Sequence, residues 1–356
     1  MPPSRDQVLA ALGYVIDPEL RRPITELDMV RDVRIDGGDV AVRIALTVAG
    51  CPLRHSFQEQ VAREVGGVEG VERVKLEFDV MTPEERAALT TKLRGGRAAE
   101  DRAIQLDPST RVLAIASGKG GVGKSSVAVN LAAALASLGR QVGVLDADIY
   151  GHSIPHMLGI SQKPVLVDRM MIPPVKHELK LMSIGFFLDG NAALMWRGPM
   201  LHRALEQFLQ DVHWGELDVL VVDMPPGTGD VSISLGQMLP RAEAVIVTTP
   251  QPLAQEVASR AAAMAQKIGL RLAGVVENMT SDVFGAGGGE RLAEELGVEL
   301  LGRVPLDARL RASGDAGVPL VVSDPGCEAA EAIVAIARAL DAARAGGFTK
   351  TLPLVS

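Results

Sequence analysis

Apolar positions follow two different spacings along the chain. Beyond the turn signal Asp36-Gly37-Gly38-Asp39, the residues Val40, Val42, Ile44, Leu46 and Val48 fall on one face, with Arg43 and Thr47 among those between. That period of two predicts a half-buried strand. Leu53, Phe57, Val61 and Val65 then recur every four residues, which suits one stripe of a helix. Val74, Leu76, Phe78 and Val80 alternate with Arg73, Lys75, Glu77 and Asp79 and predict a further strand. Strands with one polar face imply a small α+β domain over residues 1–93, with helices on one side of its sheet.

Residues 94–110 lose this period. Arg94-Gly95-Gly96-Arg97 through Asp107-Pro108 carries turn residues and reads as a linker, with a short helix expected over 98–104. From 111 to 345 the strands become continuous apolar runs: Val112 to Ala116, Val142 to Leu145, Val219 to Val222, Ala244 to Val247, Leu272 to Val276 and Leu300 to Val304. Runs buried on both faces, alternating with helical stretches, predict an α/β domain with a doubly wound, mostly parallel sheet. A ligand is then expected at the carboxyl ends of its strands. Residues 346–356 form a short tail.

One loop sits where that rule directs attention. Gly118-Lys119-Gly120-Gly121-Val122-Gly123-Lys124-Ser125 follows the first apolar run and opens a helix striped by Val127, Leu131, Leu135 and Leu138. Its glycines let backbone N–H groups turn around phosphate oxygens, and the helix N-terminus adds its positive end. Lys124 can reach the terminal phosphates, and Ser125, followed by Ser126, can offer a hydroxyl to Mg²⁺. Strand, loop, Lys–Ser pair and helix together distinguish this P-loop from a turn that only caps a helix.

Carboxylates end two other runs: Asp146 and Asp148 after Val142–Leu145, and Asp223 after Val219–Val222. Acids there can hold Mg²⁺, directly or through water, and orient an attacking water. Asp146 and Asp223 are expected at the metal; Asp148 joins Lys124 in the expected catalytic set. Asp223 to Asp230, rich in proline and glycine, suits a loop that responds to the γ-phosphate.

Composition narrows the partners. The net charge is -8 over 356 residues and aromatics are 3%, which argues against nucleic acid. No apolar run approaches the ~20 residues of a membrane span, and Met1 to Asp6 lacks a signal-peptide core, so a cytoplasmic location away from membranes is expected. Two distant cysteines, Cys51 and Cys327, make no disulfide framework. The six histidines lack metal-ligand spacing tied to a cysteine pair, and the methionines at 170, 171 and 182–200 read as core packing and an irregular flap.

Several motifs together resemble the Mrp/ApbC family of iron–sulfur cluster carrier ATPases, within the ParA/MinD superfamily. They are Ser117 to Ser126 with its extra Lys119, Asp146 to Gly151, Met195 to Met200, Asp223 to Asp230, Glu277-Asn278-Met279, Phe284 to Leu296 and Ser313 to Gly317. Asp17-Pro18-Glu19-Leu20 and Leu46 to Leu53 resemble the iron–sulfur assembly domain often fused in front. The resemblance implies slow ATP hydrolysis, a homodimer whose Lys119 crosses to the partner's nucleotide and so joins Lys124 and Asp148 in the catalytic set, and Asn278 against adenine. It also implies a labile iron–sulfur cluster passed among apoproteins or scaffold proteins. The family's usual C-P-x-C pair is missing: Thr280-Ser281-Asp282-Val283 stands where it is expected. Cys51 is the thiol left in a family motif and is the candidate cluster ligand. Two rivals remain: a MinD- or ParA-like positioning ATPase, against which the short, proline-containing C-terminus argues, and a nucleotide-switched scaffold without a cluster.

Overall fold

The computed structural model describes residues 2–48, 53–95, 104, 106–148, 151–187, 198–227, 229–239 and 241–346. The helix expected over 98–104, save Ile104, and residues 347–356 of the tail lie outside them. The first 95 residues supply α1 (Arg5–Leu12), β1 (Val30–Asp36), β2 (Asp39–Leu46), α2 (Arg54–Gly66), β3 (Arg73–Val80) and α3 (Pro83–Leu93). Capping boxes start two of the helices, Ser4 with Gln7 at α1 and Thr82 with Glu85 at α3, each satisfying two otherwise orphaned N–H groups. β1 lies antiparallel to β2 across the tight turn at Gly37. β3 lies parallel to β2, which the intervening α2 permits. Val42, Ile44 and Leu46 are buried with Leu12, Phe57, Val61 and Val65, so the period-two and period-four residues meet in one core.

The remainder runs β4 (Arg111–Ala116), α4 (Lys124–Ser137), β5 (Val142–Asp146), α5 (Ile154–Met157), β6 (Val165–Val167), β7 (Met170–Ile172), β8 (Val175–Lys176), β9 (Leu179–Ser183) and a 3₁₀ turn (Ile184–Phe187). It continues with α6 (Gly198–Gln210), β10 (Val219–Asp223), α7 (Asp230–Met238), β11 (Glu243–Thr248), α8 (Pro252–Lys267), β12 (Arg271–Thr280), α9 (Gly288–Leu296), β13 (Leu300–Pro305), α10 (Ala308–Asp315), α11 (Leu320–Ser323) and α12 (Glu328–Gly346). Eight strands form one sheet in the order β13-β12-β11-β4-β10-β5-β9-β8. All neighbours are parallel except β8, which is antiparallel to β9. α4 and α12 pack together on the sheet, as do α8 and α9. This is the doubly wound α/β fold expected from the apolar runs. Cys327 is buried in its core.

Two compact units are present, and they divide the chain differently from a single cut at 94–110. The first comprises Met1–Gln105 with Pro164–Pro173 and Gln210–Gly215; the second holds the rest. The β6–β7 hairpin buries Val167, Met170 and Ile172 in the core of the first unit. The Thr90 hydroxyl of α3 donates to the Val167 carbonyl at 3.3 Å. Residues 211–213 run beside Met171, whose N–H donates to Asp211 O at 2.8 Å. Met170 therefore does pack in a core, but the flap expected around 182–200 begins as the regular strand β9 and the 3₁₀ turn.

Candidate functional site

β4 delivers the chain to the phosphate loop at the centre of the sheet. Gly118 cannot carry a side chain, since a Cβ there would lie 2.1 Å from the Val257 carbonyl oxygen. Gly123 adopts φ +80° as the residue that opens α4, and a Cβ on it would lie 2.3 Å from Asn278 Nδ2. No side chain caps α4, so its first N–H groups are available to an anion.

Four of the expected residues converge around Lys124. Its ammonium, 6% exposed, donates to Asp223 Oδ1 at 2.6 Å and lies 3.6 Å from Asp148 Oδ2. The Ser125 hydroxyl donates to Asp223 Oδ2 at 2.6 Å. Asp146 sits beside Asp223 because β5 and β10 place these residues in register. Burial, with the nearby Asp223, pushes the Asp146 carboxyl up to about 8. Burial raises Asp223 as well, against the pull of Lys124.

The donor set suits Mg²⁺. A serine hydroxyl and two carboxylates are hard oxygen ligands, and Mg²⁺ commonly takes only one or two protein carboxylates, completing its shell with phosphate and water. Accordingly, no group of three His, Cys, Asp or Glu side chains forms a ready-made metal site among the described residues.

Asn278 is also at the loop. Its Nδ2 donates to the Val122 carbonyl at 2.8 Å, while its buried Oδ1 has no hydrogen-bond partner. A cavity of about 490 Å³ opens there, lined by Gly123, Ser126, Met157, Asn278, Met279 and Leu306 among others. Glu277, fully buried, holds the glycine-rich turn before α9 by accepting from the N–H groups of Gly287 and Gly289. Lys119 is half-buried, and among the described residues its ammonium makes no ion pair. Cys51 lies outside the described residues, as do Met195 to Arg197 and Thr228.

Residues 109–341 match the family of NUBPL iron-transfer P-loop NTPases, and residues 5–76 match the iron-sulfur cluster assembly protein domain. The iron-sulfur cluster carrier protein of Mycobacterium tuberculosis strain H37Rv is 51% identical, over 95% of this chain and 93% of its own. That of Bacillus subtilis is 44% identical over 85% and 88%.

The chain belongs to the iron-transfer P-loop NTPase family.

Among solved structures, a nucleotide-binding protein from Archaeoglobus fulgidus in complex with ADP is 37% identical with a TM-score of 0.52, over 58% of this chain and 86% of its own. The cell division ATPase MinD of Pyrococcus furiosus, 24% identical with a TM-score of 0.54 over 65% and 99%, shares the fold. Membership in this iron-transfer family bears out the resemblance read from the motifs. It left unassigned Ser183, which donates to Asp146 Oδ2 at 2.9 Å, and the cavity residues Met157, Met279 and Leu306. Ser183 ends a strand hidden in the Met-rich stretch, where apolar spacing gave no strand signal.

Proposed function

We propose that this P-loop NTPase hydrolyses ATP slowly and uses the cycle to carry iron–sulfur clusters to apoproteins. The observation carrying the nucleotide half is the Lys124–Asp223–Ser125 arrangement at the mouth of an uncapped helix. With triphosphate bound, Lys124 would exchange Asp223 for phosphate oxygens, and the carboxylate of Asp223 with the Ser125 hydroxyl would hold Mg²⁺. Mg²⁺ supplies neutralisation of charge on the phosphates. Asp148, beside Lys124, orients the attacking water. Asn278 favours adenine: one of its two amide hydrogens is committed to Val122 while its Oδ1 has no partner, and that oxygen accepts from an exocyclic amine, whereas guanine presents a carbonyl oxygen at that position.

Two copies of the chain are proposed to face each other across the nucleotides. Leu253, Val283 and Leu306 are exposed at 66%, 80% and 49%, just beyond the carboxyl ends of β11, β12 and β13. They would rim such a contact, and the unpaired Lys119 would offset phosphate charge across it.

Cluster carriage draws support from the relatives' names. The loop after β12 has no thiolate: Ser281 and Gly285 close it by two backbone hydrogen bonds of 3.2 and 2.7 Å. Cys51 is then the proposed cluster ligand in this chain, and because clusters usually take four protein ligands, a second chain, a partner protein or a small thiol completes the shell. Anaerobic reconstitution of wild type and Cys51→Ser, read by bound iron and visible absorbance, tests this. Iron lost with the serine supports carriage through Cys51. Equal iron in both removes Cys51 from the mechanism. No iron in either favours the second reading, a nucleotide-switched scaffold, which the missing C-P-x-C pair also favours.

A further inference from the structure

Three strand ends stand side by side at the acid cluster. β10 contributes Asp223, β5 contributes Asp146, and β9 contributes Ser183, in register with Asp146. Ser183 is fully buried. Its hydroxyl oxygen accepts the Gly185 N–H at 3.0 Å, and its proton goes to Asp146 Oδ2 at 2.9 Å. The other oxygen of Asp146 accepts the Asp148 N–H at 3.3 Å. The hydroxyl has one proton, and the backbone donor at Gly185 occupies its acceptor side, so Ser183 is held as a donor. Both oxygens of Asp146 are thereby tethered from outside the phosphate loop.

We propose that Ser183 is a positioning residue for the Mg²⁺–nucleotide site, acting through Asp146 by fixing the plane of its carboxylate. The inference rests on the nucleotide reading above. Mg²⁺ demands near-octahedral geometry and tolerates misplaced ligands poorly. Partners that orient a metal's carboxylate ligands by hydrogen bonding typically change metal affinity by about 10–100-fold when removed. Without the serine proton, a buried carboxylate oxygen loses a donor and the side chain can turn about its last torsion. The 3₁₀ turn begins at the next residue, and the Gly185 N–H within it keeps the hydroxyl oriented, so the tether is built from β9 and the turn that follows it.

The test is Mg²⁺ titration of the full chain with a fluorescent N-methylanthraniloyl-ATP, reading the Mg²⁺ concentration at half-maximal signal. Thermal unfolding without nucleotide is recorded beside it. Ser183→Ala and the nearly isosteric Ser183→Cys, a much weaker donor, are expected to raise that concentration about 10-fold, and Ser183→Thr to stay within about 2-fold of wild type. Should the alanine variant not fold, the cysteine variant carries the comparison alone. A half-maximal Mg²⁺ concentration equal to wild type in the cysteine variant overturns the proposal, even if its melting temperature drops, because that is the pattern of a purely structural contact. If wild type binds the probe equally with and without Mg²⁺, the reading of the site falls and the inference falls with it.

Discussion

One set of charges from each unit makes a contrast. On the three-stranded sheet of the first unit, Arg73 pairs with Asp39 at 2.7 Å and Arg43 with Glu77 at 3.1 Å, every one of these side chains more than a third exposed. In the second unit Asp146 and Asp223 are fully buried at strand ends, with Lys124 beside them. Water screens the first set, so those pairs add little to stability and do no chemistry. The second set is desolvated, which raises its energy in the absence of ligand and makes a bound cation or phosphate worth more there. A buried, desolvated charge cluster marks the working site, and a surface lattice of ion pairs does not.

The contrast is broken most sharply at Lys124. Lys124→Ala should lower ATP hydrolysis by at least about 100-fold while circular dichroism stays unchanged; retained hydrolysis would remove the loop from the chemistry. Next comes the hairpin lent to the first unit. Met170→Ala should destabilise that unit by about 2–5 kcal/mol, seen as loss of hydrogen-exchange protection in β2, with nucleotide binding intact. Equal protection in the variant would mean the hairpin is not part of that core.

The buried acids should cost the second unit stability. Because the Asp146 carboxyl is raised above its ordinary value to about 8, its contribution is complete below about pH 4 and is lost as pH rises through 8. In EDTA without nucleotide, the stability of Asp146→Asn relative to wild type should grow by at least about 2 kcal/mol between pH 4 and pH 9, with the two closest near pH 4. Parallel melting curves across that range would contradict the burial argument. The smallest effect belongs to the exposed lattice: Arg73→Ala should leave the melting temperature within error, and a clear drop would show that surface pairs matter more here than their exposure allows.

Much of this was legible because it is local. Four of the long runs, β4, β5, β10 and β11, need only a window of a few apolar residues, and the phosphate loop carries its chemistry in eight consecutive positions. Asn278 was legible as a residue but not as an acceptor, since that depends on the Val122 carbonyl, 156 positions away. β6 and β7 are three residues each, too short for a period, and their packing partners lie far earlier in the chain. Ser183 looks ordinary until parallel pairing sets it against Asp146. What the sequence withheld is long-range: which strand stands next to which, and whose core a short hairpin fills.

That borrowed hairpin also imposes an order on synthesis. A chain leaving the ribosome presents residues 1–95 first, and domains generally fold as they emerge. Here the apolar surface that meets Val167, Met170 and Ile172 has to wait until the phosphate loop, β4 and β5 have also been made, and residues 211–213 come later still. The first unit therefore reaches its final form only after the phosphate loop and the early strands of the second have been translated, while β10 to β13 are still to come, so the assembly-type domain is closed by segments of its ATPase's own chain and not by residues 1–95 alone.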